Sequence, residues 1–122
     1  MAKILMIDDD QDFREAGRQI LESQGYTVVS AATPAEGEAA ISRENPDLIL
    51  LDIMMQKPDD GIALAQKLSR EGVLIPVVML SGVSTVTGYD YGKDDDVLPC
   101  RDFLQKPINP ETLIQKVAEI LG

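Results

Sequence analysis

Histidine is absent from this 122-residue sequence, and cysteine occurs once, as Cys100. Without histidine the commonest general base and metal ligand are gone, and no Ser-His-Asp or Cys-His arrangement can be assembled. A lone thiol excludes an internal disulfide and a cysteine cluster for zinc, and it suits a reducing cytosol. Positive charge is also scarce. The 11 basic residues against 21 acidic ones leave a formal net charge of −10, which disfavours direct contact with nucleic acid or an anionic membrane and favours cations. No apolar run approaches a membrane span, and the four apolar residues between Lys3 and Asp8 are too few for a signal-peptide core. A cytoplasmic protein is expected, a single domain over residues 1–122 able to bury a core without cross-links. The chemistry left open is that of carboxylates, hydroxyls and lysine.

What is present is a set of short apolar runs that end in polar residues. Leu48-Ile49-Leu50-Leu51-Asp52, entered after Asn45-Pro46-Asp47, is apolar on both alternations. Such a run reads as a strand buried on both faces of a parallel sheet, with Asp52 at the carboxyl end, where open α/β sheets bind ligands. Lys3 to Ile7 is a similar run delivering Asp8-Asp9-Asp10. A helical period follows at Phe13, Ala16, Gly17, Ile20 and Leu21, with Asp10 or Gln11 near its cap and Gly25 as its stop. Tyr26 to Ala31 is a β-branched stretch. Thr33-Pro34-Ala35-Glu36 then forms a capping box with proline at the first helical position, opening a helix to about Arg43. Ile62, Leu64, Ala65 and Leu68 give a short stripe stopped by Gly72. Ile75 to Ser81 reads as a fourth strand, Asp102 to Gln105 as a fifth, and Asn109-Pro110 starts a last helix. The stretch from Val83 to Arg101 carries no confident pattern and is expected to be irregular or mobile. Strands alternating with helices imply right-handed crossovers, hence an α/β, flavodoxin-like (βα)5 doubly wound parallel sheet of order 2-1-3-4-5 with an irregular fourth-helix region.

In that order Asp8, Asp9 and Asp52 converge. Two carboxylates about 4 Å apart repel by roughly 4 kcal/mol at an effective dielectric near 20, so the cluster requires proton uptake or a divalent cation. Magnesium fits, because it takes one or two carboxylates, keeps several waters and leaves positions for phosphate oxygens. Asp10 and Asp12 read more simply as cap and helix-dipole residues. Ser81 and Lys106 end strands on the other side of Asp52. Singly, Ser81 is a turn residue and Lys106 a solvated charge; together with Asp52 they make a cradle for a phosphoryl group, with the carboxylate as acceptor.

Ile7-Asp8-Asp9, Leu51-Asp52-Ile53-Met54-Met55, Ser81-Gly82 and Phe103-Leu104-Gln105-Lys106-Pro107, in this order and spacing, resemble the receiver domain of bacterial two-component response regulators. The resemblance implies that Asp52 is the phosphoacceptor and that Asp8, Asp9, Asp52 and the main-chain carbonyl of Met54 hold Mg2+. It implies also that Ser81 and Lys106 contact the phosphoryl group, that Ser81 and Phe103 switch on activation, and that Lys106-Pro107 is a cis peptide. The donor would be a sensor histidine kinase or a histidine phosphotransfer protein on another chain. The reader would be an output partner or fused effector domain of unknown identity. Such a domain assists its own aspartyl phosphorylation and dephosphorylation and is not an enzyme turning over an external substrate. The loop Met55 to Gly61 lacks the family's proline and is one residue longer. Val83 to Arg101 departs from the family's alanine-rich fourth helix. A phosphorylation-independent receiver-like interaction module and a magnesium-dependent phosphatase are the competing readings; the latter needs a second acid and a lid, and no lid is legible.

Overall fold

The computed structural model describes residues 2–53, 55, 60–81, 102–106 and 108–121. The backbone of Ser81 is among them; its side chain is not. The expectations for Met54, the Met55–Gly61 loop's middle, the Lys106-Pro107 peptide and the stretch 83–101 therefore fall outside the described residues. Nine elements are described: β1 (Lys3–Ile7), α1 (Gln11–Glu22), β2 (Thr27–Ala31), α2 (Pro34–Glu44), β3 (Leu48–Asp52), α3 (Asp60–Arg70), β4 (Val77–Ser81), β5 (Asp102–Gln105) and α4 (Pro110–Leu121). The strands form one sheet of order β2-β1-β3-β4-β5, every pair parallel. This is the flavodoxin-like order expected.

Alternation along the strands sorts the core into two layers. Leu5, Ile7, Ile49, Leu51 and Met79 pack with Ala40 of α2 and Leu64, Ala65 and Leu68 of α3. Ile4, Met6, Leu48, Leu50, Val78 and Leu80 pack on the opposite face with Leu21 of α1 and Leu113 and Val117 of α4. Each buried Leu or Ile contributes about 1.5–3 kcal/mol relative to exposure, and β1 and β3 bury such side chains on both faces. Helix ends follow local chemistry. Asp10 caps α1 by accepting from the Phe13 N–H at 3.2 Å. Thr33 Oγ1 accepts from the Glu36 N–H at 3.1 Å while its hydroxyl donates to the Glu36 carboxylate at 3.2 Å. α2 runs one residue past Arg43, because Asn45 takes a left-handed conformation (φ 47°) that closes the helix after Glu44. β4 begins at Val77 rather than Ile75, since Pro76 has no N–H for the ladder and offers only its carbonyl, to Ile49.

Two ties fix how the layers sit. The Lys3 N–H donates to Asp47 Oδ2 (2.8 Å) and the Asp47 N–H donates to the Lys3 carbonyl (2.7 Å), clamping β1 to the entry of β3. Lys116 of α4 reaches Asp102 at the start of β5, 2.6 Å away; that hydrogen bond holds the Lys116 ammonium pKa above its ordinary value.

Candidate functional site

The register of β1 on β3 builds the site. Ile4 pairs with Leu48 and Ile7 with Leu51, so the next residues, Asp8 just past β1 and Asp52 at the end of β3, lie side by side at the carboxyl edge. Both point to the α1/α4 face, because Ile7 and Leu51 belong to the layer under α2 and α3. Asp8 is fully buried and Asp52 is 4% exposed; they are the buried charged residues among those described. Asp9 is exposed. Carboxylate oxygens of Asp8, Asp9 and Asp52 lie within 4.8 Å of one another. The expected convergence is present.

Lys106 follows β5 and turns its ammonium into this cluster, 2.6 Å from Asp8 Oδ2 and 3.5 Å from Asp52 Oδ2. At an effective dielectric near 20 these contacts attract by about 6 and about 5 kcal/mol, while each carboxylate pair, no more than 4.8 Å apart at its nearest ligand oxygens, repels by about 3.5 kcal/mol or more. Attraction and repulsion are then of one size. Among the described residues, the three carboxylates and the Lys106 ammonium together carry a formal charge of −2, which one divalent cation would balance. The donors are oxygens throughout, with no histidine in the chain, and a hard cation such as magnesium is the one this donor set fits.

Asp8 is held by more than the lysine. Its Oδ1 accepts from the Asp10 N–H at 2.9 Å, and its main-chain carbonyl accepts from Arg14 Nη1 at 2.6 Å. Asp10 is thereby both helix cap and support for Asp8, as the cap reading of that residue requires. The Lys106 ammonium also lies 4.3 Å from the centroid of the Phe13 ring. Arg14 was not legible as a site residue, and Phe13 was legible only as part of an apolar stripe. Both act between elements, and the only sequence signal is their place in the first turn after the acidic run. Ser81 ends β4 opposite Gln105, beside Asp52, whose own partner is Leu80. Phe103 pairs with Met79 and packs against the α2/α3 layer, on the other side of the sheet from the carboxylates. Gly61, the second residue of α3, lies directly over the Asp52 main chain: its N–H donates to the Ile53 carbonyl at 2.8 Å, and a Cβ there would collide with the Asp52 carbonyl oxygen.

A family model described as the response regulator receiver domain matches residues 4–118. Among curated proteins, a probable transcriptional regulator ycf27 of Porphyridium aerugineum is 36% identical over 123 residues, covering 98% of this chain and 48% of that protein. The DNA-binding dual master transcriptional regulator RpaA of a Synechocystis strain is 35% identical over 127 residues, covering 99% and 49%. The chain thus spans about half the length of these relatives. Among solved structures, the receiver domain of NtrX from Brucella abortus superposes with a TM-score of 0.82 at 30% identity, covering 97% of each chain.

Proposed function

The chain belongs to the response regulator receiver domain family, and from that premise we propose that Asp52 is the phosphoacceptor of this receiver, with Asp8, Asp9 and Lys106 completing its phosphoryl site. The family works in two-component signal transduction and not in turnover of an external substrate. The observation that carries the assignment is the contact of half-buried Lys106 with the buried carboxylates of Asp8 and Asp52 at the strand tips, with a residual charge of −2 among the described groups of the cluster. Like charges gathered at strand tips are a costly way to build a fold and a useful way to hold a cation or phosphate group, which favours the functional reading.

The donor is a phosphohistidine on a sensor histidine kinase or a histidine phosphotransfer protein, since this chain has no histidine of its own. A carboxylate oxygen of Asp52 attacks phosphorus; the P–O bond forms as the P–N bond breaks, and the imidazole nitrogen leaves with its electron pair and takes up a proton. Asp8, Asp9, Asp52 and the Met54 carbonyl would hold magnesium, which would supply charge neutralisation of the phosphoryl oxygens. Lys106 turns from Asp8 toward the new phosphoryl oxygens. Ser81 donates its hydroxyl to another of them, and the Ser81–Phe103 region shifts between two states, which an output partner or fused effector domain reads. The same groups let water remove the phosphoryl group. The unit spans residues 1–122 and works in the cytoplasm; no described helix is long and apolar enough to cross a membrane. Any DNA contact belongs to a further domain of a longer parent, as the DNA-binding description of RpaA suggests.

The test is incubation with magnesium and a small acyl phosphate, read by intact mass. One adduct per wild-type chain and none in Asp52→Asn is expected. An unchanged wild-type mass would leave the phosphorylation-independent interaction module, and sustained release of inorganic phosphate at high rate would indicate the phosphatase.

A further inference from the structure

We propose that Phe13 is a positioning residue for phosphoryl transfer, its ring face acting as a rest on which the Lys106 ammonium is held between Asp8 and Asp52. The inference rests on reading Asp52 as the phosphoacceptor. Lysine carries its charge on a flexible four-carbon stem, and the Lys106 side chain is 23% exposed, so solvent competes for it. Two directions around the ammonium are taken by Asp8 at 2.6 Å and Asp52 at 3.5 Å. The Phe13 ring, 4.3 Å away, occupies a third.

The ring is itself fixed. Phe13 lies in the first turn of α1 and its N–H donates to the Asp10 cap, whose own N–H donates to Asp8 Oδ1, while the neighbouring Arg14 binds the Asp8 carbonyl, so this turn is tied twice to Asp8 at the tip of β1. Its side chain packs against the layer beneath α1 and α4. Phe13 as plain core would explain that packing, but not a cation over the ring in a cluster of formal charge −2. A ring face attracts the ammonium without demanding a hydrogen-bond direction. Lys106 can therefore slide from Asp8 toward an arriving phosphoryl group while keeping that attraction, which a carboxylate partner would not permit.

The experiment compares wild type, Phe13→Leu and Phe13→Tyr, each alone and with Lys106→Met, in saturating magnesium. Three readings are taken: the rate of Asp52 modification by a small acyl phosphate, the NMR shifts of the Lys106 Cε protons, and the melting temperature. Phe13→Leu is expected to slow modification about two- to fivefold, the scale of one partly exposed cation–π contact. Phe13→Tyr should restore the wild-type rate, and the exchange to leucine should change nothing further once Lys106 is methionine. The Lys106 Cε protons should be shifted upfield by the ring in wild type and Phe13→Tyr and should lose that shift in Phe13→Leu. Equal slowing in the leucine and tyrosine variants, no slowing in leucine, or unshifted wild-type Cε protons would overturn the proposal. If Phe13→Leu does not fold, Phe13→Met takes its place. Should wild type accept no phosphoryl group, the reading of Asp52 fails, and the Cε resonances alone decide whether the ring holds the ammonium.

Discussion

Replacing Lys106 by methionine removes a cation that contacts both buried carboxylates while keeping most of its aliphatic volume. Asp8 is fully buried and Asp52 nearly so, and Lys106 lies 2.6 and 3.5 Å from them. Taking one partner from a buried charged group costs about 3–5 kcal/mol, because the remaining charge is left uncompensated. The cluster is open on the side of exposed Asp9, which admits water and places this case near the lower end, about 3 kcal/mol. For a domain of this size that corresponds to a fall of about 10 °C in melting temperature. Thermal unfolding followed by circular dichroism, in chelator and then in excess magnesium, separates charge from packing. In chelator the full loss is expected. In magnesium at least half of the gap to wild type should close, since a cation that binds only the folded state stabilises it by an amount that grows with the logarithm of its affinity, and the variant's site has no competing ammonium. An equal gap in both conditions would refute the electrostatic account and assign the loss to the packing of the lysine stem.

Asp9→Ala should weaken magnesium binding by calorimetry by about tenfold or more while leaving the metal-free fold as stable or more so, because a like charge leaves the cluster; unchanged affinity would remove Asp9 from the ligand set. Gly61→Ala should cost about 3 kcal/mol by denaturant unfolding, despite the better helix propensity of alanine, since the new Cβ meets the Asp52 carbonyl and lies 2.7 Å from Ile53 Cα; a neutral result would mean the start of α3 is free to shift. Lys116 has its pKa raised above 10.5, chiefly by its hydrogen bond to Asp102. Its stabilising contribution is therefore present below pH 10.5 and lost as pH rises through the folded-state value. Wild type should lose its stability advantage over Lys116→Met across that range, and a constant difference would contradict the linkage.

The strands were legible because β1 and β3 are apolar on both alternations, which only a sheet covered on both sides accepts. The helix starts at Asp10 and Thr33 were legible because capping is a matter of three or four consecutive residues. The convergence of Asp8, Asp9 and Asp52 followed from strand order alone. Contacts between elements far apart in sequence were not legible: that Arg14 reaches the Asp8 carbonyl depends on how α1 lies on β1, and that Lys106 meets Phe13 depends on a separation of 93 positions between β5 and α1. The placement of Phe103 under the α2/α3 layer follows from the parity of β5, which became definite only once Met79 was known as its partner. Asn45 in a left-handed conformation ends α2 after Glu44, one residue beyond what composition implied.

The clamp between Lys3 and Asp47 has a consequence far from where it sits. A parallel strand that slips by one residue turns every side chain over, so a single step of β1 along β3 would leave one of the two carboxylates facing α2 and the other facing α1. The clamp is at the opposite rim of the sheet, about 16 Å from the acids at 3.3 Å per residue. Parity at one rim is thereby set by a backbone handshake at the other, and a residue with no part in the chemistry keeps its geometry in phase.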